Sequence, residues 1–86
     1  DLYENSLYLR LEVNDKPGVL SDLTKILAKY KISIQRLIQI PDKKNKKATI
    51  VIVTHKCLEK NSISCINNLN KNKNVLKNPV LIRLFA

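Results

Sequence analysis

The stretch LYLRLEVNDKPGVLSDLTKIL, Leu7 to Leu27, decides the fold. Leu7, Leu9, Leu11 and Val13 alternate with Tyr8, Arg10, Glu12 and Asn14. This period of two places four aliphatic side chains on one face of a half-buried strand. Asn14, Asp15, Lys16, Pro17 and Gly18 are turn formers, and the fixed φ of Pro17 suits a first helical turn. Val19, Leu20, Leu23, Ile26, Leu27 and Tyr30 then fall on one stripe of an amphipathic helix predicted over 18–30. Ser21, Asp22, Lys25 and Lys29 occupy its other side.

Further along, Ile32, Ile34, Ile38 and Ile40 alternate with Ser33, Gln35, Leu37 and Gln39, with Arg36 as the odd member on the apolar parity. A strand over 32–40 follows, and the misplaced arginine points to an edge strand or a bulge. Pro41 ends it by removing a donor. Residues 42–47 form a charged tip, and ATIVIVT, Ala48 to Thr54, is a β-branched run of the kind found in central strands. Ile63, Ile66 and Leu69 mark a weaker helix over 59–70, and Val80, Ile82 and Leu84 alternate with Leu81, Arg83 and Phe85 in a last strand. The order βαββαβ implies an α+β ferredoxin-like sandwich: a four-stranded antiparallel sheet, order 4-1-3-2, with two helices on one face. That topology gathers the first turn, the hairpin tip and the connection before the last strand at one end of the sheet.

The 86 residues suffice for one domain, and 29 of them are Leu, Ile or Val, too many for a disordered chain. A core this small gains from oligomerisation. No apolar run reaches the ~18 residues of a membrane span, so no membrane partner is expected. Cys57 and Cys65 lack ligand or disulfide spacing and suit free thiols in a reducing cytoplasmic setting. The chain has no Met, which suggests a piece of a longer protein, with residues 1–6 a linker from a preceding catalytic region and 7–86 the domain.

Gly18 is the only glycine. It serves either a plain tight turn, with Asn14 or Asp15 capping the helix, or the close approach of a ligand to first-turn amides, which favour a carboxylate or phosphate. Here the segment from Tyr8 to Leu27 resembles the opening of an ACT domain: a strand, a D-x-P-G-V-L turn and a helix. With ISIQRLIQ at Ile32 to Gln39, TIVIVTH at Thr49 to His55 and PVLIRL at Pro79 to Leu84, the chain is similar from Leu2 to Ala86 to the C-terminal ACT domains of homoserine dehydrogenases. The resemblance implies a non-catalytic feedback sensor binding an amino-acid effector, threonine, and a homodimer formed through edge strand 32–40. It places the effector at Asn14, Asp15, Gly18, Val19 and Leu20, with Ser33 and Ile34 contributing from the same or the partner chain. Asp15 would hold the ammonium, the helix amides the carboxylate, and Leu20 a wall. The parent enzyme would reduce aspartate 4-semialdehyde to homoserine with NAD(P), but one glycine cannot make a dinucleotide loop, so no cofactor is expected in this chain. An ACT dimerisation module without ligand is the plainer alternative.

Net charge is +9, from 16 Lys plus Arg against 7 Asp plus Glu. Lys43, Lys44, Lys46 and Lys47 crowd the tip, and Lys71, Lys73 and Lys77 precede the last strand. These are read as solvated turns or as a field that concentrates carboxylates near the first turn. A basic ferredoxin-like RNA-binding domain is the rival in another class. It is disfavoured because ATIVIVT offers no aromatic for base stacking, so no nucleic-acid partner is expected. His55 has no ligand partner at metal spacing and is expected on the surface or partly packed.

Overall fold

The computed structural model describes residues 4–84. The elements are β1 (Glu4–Asn14), α1 (Val19–Lys29), β2 (Ile34–Asp42), a 3₁₀ turn (Lys43–Asn45), β3 (Lys47–Thr54), β4 (Cys57–Leu58), α2 (Glu59–Lys71) and β5 (Val80–Leu84). All strand pairs are antiparallel. β2 pairs with β3, β3 with β1, and β5 with the other edge of β1, the ferredoxin-like order expected from the sequence. β1 begins at Glu4, so residues 4–6 belong to the sheet and not to a linker. Glu4 and Asn5 pair with β4, Ser6 pairs with Leu84, and Asn5 is buried. Phe85 lies outside the described residues.

The short β4 is β3 resumed. Val53 faces Tyr8 and Cys57 faces Asn5, so four residues advance on one strand against three on the other, a bulge at His55–Lys56. Thr54 compensates for the interruption: its buried Oγ1 accepts the Leu7 N–H at 3.0 Å.

Leu7, Leu9, Leu11 and Val13 of β1 and Ala48, Ile50 and Ile52 of β3 are buried beneath Val19, Leu23 and Leu27 of α1. The second helix differs from its predicted stripe. Ser62, Cys65 and Leu69 are its buried residues, Ile66 is half-buried, and Ile63 faces solvent. The i, i+3, i+7 spacing of these three puts two small side chains against the sheet, where a closer approach is possible. Burial pushes the Cys65 thiol up to about 11 and also raises Cys57. At α2's first turn Glu59 accepts a two-pronged ion pair from Arg83 of β5, which ties helix to edge strand and holds the Glu59 carboxyl below its usual value.

In β2 the predicted face does not persist. Ile34 pairs with Thr54 but Arg36 pairs with Val53, so Gln35 is an extra residue. One inserted residue exchanges the faces of everything beyond it. Leu37 and Gln39 therefore turn to the helix side, opposite Ile52 and Ile50, while Arg36, Ile38 and Ile40 turn to the open side. The physical reason is Arg36: without the bulge its guanidinium would lie with Ile34 under the helices, unpaired. The consequence is that Ile38 and Ile40 are 46% and 54% exposed. On that open face Tyr8 is the single aromatic among the described strand residues, between Val53 and Ile82.

α1 ends in a Schellman motif. Ile32 N–H bonds to Leu27 C=O and Lys31 N–H to Ala28 C=O, each 3.0 Å, with Ile32 buried against the core. Lys31 occupies the left-handed position at φ 60°, where glycine is usual. Lys31→Gly is therefore expected to stabilise the domain by about 0.5–1 kcal/mol in urea unfolding, the relief of backbone strain exceeding the added unfolded-state entropy. Both thiols are expected to resist iodoacetamide at pH 7 in the folded chain and to react fully in guanidinium.

Candidate functional site

The end of β1 runs into a four-residue turn. Val19 N–H closes onto Lys16 C=O at 3.2 Å, with Pro17 second and Gly18 third at φ 87°, ψ −15°, a type II geometry. Gly18 is also the N-cap of α1, and no side chain caps that helix. The Asp22 N–H reaches Gly18 C=O at 3.0 Å as the first helical bond, so the Leu20 and Ser21 amides lie ahead of the intrahelical ladder. A Cβ on Gly18 would meet nothing within 4 Å, so the glycine is required by φ and not by crowding inside this chain.

Two other segments are stitched to this turn. Asp15 N–H donates to Lys46 C=O of the hairpin tip at 3.0 Å, and Asn14 N–H donates to Asn74 C=O of the α2–β5 connection at 2.9 Å. Leu76 N–H bonds to Glu12 C=O at 2.8 Å, and Val75 bridges to Val13. The topology thus collects the turn, the tip and the connection at one end, and with them the two lysine-rich segments. At the tip, Asp42 accepts from the Asn45 backbone and side-chain amides and orders the chain for the left-handed Lys46.

Between β1, α1 and the edge strand lies a cleft of about 30 Å³, lined by Val13, Asn14, Asp15, Lys16, Val19, Leu20, Gln39, Ala48 and Ile50. Four of the sequence-derived candidates, Asn14, Asp15, Val19 and Leu20, meet here, with Gly18 beside them in the turn. Gln39 and Lys16 are additions. Gln39 enters only because the bulge turns it to the helix side, which no strict alternation reveals. Ser33 and Ile34 do not join the group. Ile34 pairs with Thr54 near Leu7, whereas Asn14 pairs with Lys47, so by strand rise the two sets are roughly 20 Å apart. They line a separate open depression of about 460 Å³ with Thr24, Ala28, Lys31 and Ile32. His55 is exposed, and its backbone N–H bonds to Ser33 C=O.

On the other face of β1, Glu12 accepts from Thr49 Oγ1 at 2.6 Å and from Arg10 Nε at 3.2 Å. The Thr49 hydroxyl, with the Arg10 guanidinium behind it, holds the Glu12 carboxyl below its ordinary 4.5. Among the described residues no helix is long and apolar enough to cross a membrane.

The ACT-domain family model matches residues 7–62, from β1 into the first turn of α2. The chain belongs to the ACT-domain family. This ACT domain is 36% identical to the homoserine dehydrogenase of Helicobacter pylori over 77 residues, covering 90% of the chain and 18% of that protein. It is 36% identical to that of Neisseria gonorrhoeae over 84 residues, 98% of the chain and 19% of that protein. Its backbone superimposes on the crystal structure of a homoserine dehydrogenase from Thiobacillus denitrificans with a TM-score of 0.84 at 36% identity, over 96% of the chain and 18% of that structure. The regulatory subunit of aspartate kinase from Thermus thermophilus shares the fold, with a TM-score of 0.60 at 13% identity over 91% of the chain and 50% of that one. The ACT domain thus spans less than a fifth of the length of the homoserine dehydrogenases it matches. A nicotinamide dinucleotide does not fit these residues, because Gly18 caps α1 alone and no second glycine exists to let a pyrophosphate approach the backbone.

Gly18→Ala is expected to destabilise the domain by about 1–2 kcal/mol in chemical unfolding through backbone strain alone. Glu12 gives a pH test. Its folded pKa lies below the unfolded value, so its stabilisation is complete above about 4.5 and is lost as pH falls through the folded pKa. Thr49→Val, which removes the first donor, is expected to lower the melting temperature at pH 7, with the difference from the wild type shrinking as pH falls through the lowered Glu12 pKa.

Proposed function

We propose that this ACT domain is the effector-binding regulatory module of a homoserine dehydrogenase, the enzyme that reduces aspartate 4-semialdehyde to homoserine with NAD(P)H, and that its effector is threonine, bound for feedback inhibition. The observation that carries this reading is the uncapped start of α1 at Gly18, opening beside a cleft that Asp15 also lines. Free amides at a helix start attract a carboxylate and Asp15 attracts an ammonium, the two ends of a free amino acid. Leu20 and Val19 supply the apolar wall.

The cleft within one chain holds about 30 Å³, room for a water and not for an amino acid. A second copy supplies the rest. Antiparallel joining of two β2 strands about an axis near Ile38 sets Ile34 of one protomer beside Asp42 of its partner. Ser33 and Ile34, remote from the turn in their own chain, then come to the partner's turn, and the open depression they line faces the small cleft. Occupancy regulates by favouring one arrangement of this joint over another, because a ligand shifts an equilibrium only by its difference in affinity. The lysines of the tip and of the α2–β5 connection add a positive field that draws in carboxylates.

Thermal melts of the chain with L-threonine, L-serine, L-methionine, L-lysine and L-isoleucine test the reading. Threonine is expected to raise the midpoint on the order of 10 °C at about 100 times Kd, and Asp15→Ala to abolish the rise. Gel filtration is expected to give a species of about twice 9.9 kDa. No response to any of the five amino acids would remove the effector assignment. The threonine Kd is expected to rise with salt between 50 and 500 mM, and a flat response would remove the steering field.

A further inference from the structure

The open face of the sheet, opposite the helices, is not the polar surface that an uncovered antiparallel face usually presents to water. The registers set its side chains in rows across the strands. Ile82, Tyr8, Val53 and Arg36 form one row, and Val80, Arg10, Val51 and Ile38 form the next. Glu12, Thr49 and Ile40 follow beyond the second row, and Leu84 and Ser6 lie beyond the first. Five of the seven large apolar side chains that stand exposed among the described residues are on this face: Ile38, Ile40, Val80, Ile82 and Leu84. They are 39–54% exposed, so nothing in the described part of the chain covers them. Of the charged groups here, Glu12 is taken by Thr49 and Arg10, and Arg36 has no ion pair among the described residues.

We infer that this face docks on the same face of a second copy, independently of any effector. The face is complementary to itself. Half a turn about an axis lying across the strands, between the two central rows, sets each row on the other. Ile82 then meets Val80, Val53 meets Val51, and Arg36 meets Ile38 of the other copy. The Arg10 guanidinium meets the Tyr8 ring twice in each pair, a cation on an electron-rich face. No like charges are opposed within these rows, although the chain carries +9. Packed sheets cross at about −30°, so the match is closest at the centre, where Tyr8, Arg10, Val51 and Val53 stand. The size fits a weak joint. Four strands about 4.8 Å apart and some five residues long give a face of roughly 17 by 19 Å. Two such faces bury about 1,000 Å² in all, the lower limit for a specific interface. Antiparallel joining through β2 turns both open faces of a pair the same way, which doubles that area. The axis of that joint, near Ile38, lies within about one residue of the axis between the two rows, so both joints close together in an assembly of four chains.

Sedimentation velocity of the chain over about 10 µM to 1 mM reads the assembly. The wild type is expected to climb from the pair, about twice 9.9 kDa, toward four chains. Ile82→Lys, at a side chain already 50% exposed, is expected to raise the concentration for half assembly at least about tenfold by placing a charge in the joint. Val80→Lys repeats the test one row away. Asn67→Lys, on the exposed side of α2, adds the same charge and is expected to leave assembly unchanged. Circular dichroism melts check that each variant is folded. Tyr8→Leu keeps an apolar side chain without the ring and is expected to weaken assembly about fivefold. An Ile82→Lys chain that falls to single chains would also support the face as a joint and would move the pair from β2 to it. A wild-type mass that stays at the pair up to about 1 mM would overturn the second-copy assignment and leave the face to another region of a longer protein. An equal climb in Ile82→Lys and Val80→Lys would overturn it as well. Neither result touches the effector assignment, which rests on the turn at Gly18.

Discussion

Strand β1 has hydrogen-bonded neighbours along both edges, and its inward side chains, Leu7, Leu9, Leu11 and Val13, are almost completely withdrawn from water. Each edge is served by a chain segment that pairs, breaks and pairs again. β3 gives way to β4 past one extra residue on one side, and Val75 gives way to β5 on the other. Central pairing of this kind fixes where β1 ends. Because the chain must leave the sheet at Asn14 and return over it as α1, a tight turn with a left-handed third residue is imposed there. Gly18 is the residue that meets this demand without strain. The uncapped helix start that makes the turn receptive to an anion follows from the same constraint.

The irregularities of the sheet carry as much meaning as its ladders. The bulge at Gln35 keeps the Arg36 charge out of the space under the helices, and by exchanging faces it turns Gln39 inward to the cleft and Ile38 and Ile40 outward. One extra residue therefore shapes both the candidate site and the open face of the edge strand. At the far end, the extra residue between β3 and β4 strands the Leu7 amide, which Thr54 satisfies with its hydroxyl. A small domain with a limited core tolerates such interruptions only where side chains replace the lost ladder bonds.

The candidate site is composite in origin. Asn14, Asp15 and Gly18 come from the turn itself, but the turn is held by Lys46 of the hairpin tip and Asn74 of the last connection, both through main-chain carbonyls. Any group that binds the turn therefore acts on two distant loops at once, one leading into β3 and the other into β5. These bonds connect the turn at one end of the sheet to the strands at both of its sides. Seven of the thirteen lysines, Lys43, Lys44, Lys46, Lys47, Lys71, Lys73 and Lys77, lie on or at the ends of these two loops, so the segments that hold the turn also carry much of the positive charge around it.

Alternation and helical spacing, which depend only on neighbours in the chain, were enough to determine from sequence the strand of Leu7 to Val13, the helix behind Gly18, the β-branched central strand and hence the order of elements. The turn at Asn14 to Gly18 was legible for the same reason, since proline followed by glycine has few backbone options. What the tertiary structure alone decided involves residues whose environment is set from across the fold. Arg36 forces a bulge only because helices cover that face, and Ser62 with Cys65, not Ile63, meets the sheet because small side chains allow the closer approach. Ser33 and Ile34 stand apart from Asn14 because antiparallel pairing places the start of one strand at the level opposite to the end of another. Asn74 meets Asn14 only when the last connection is laid against β1. Contacts between residues sixty positions apart leave no trace in a local pattern, because their geometry exists only once the sheet has closed around its central strand.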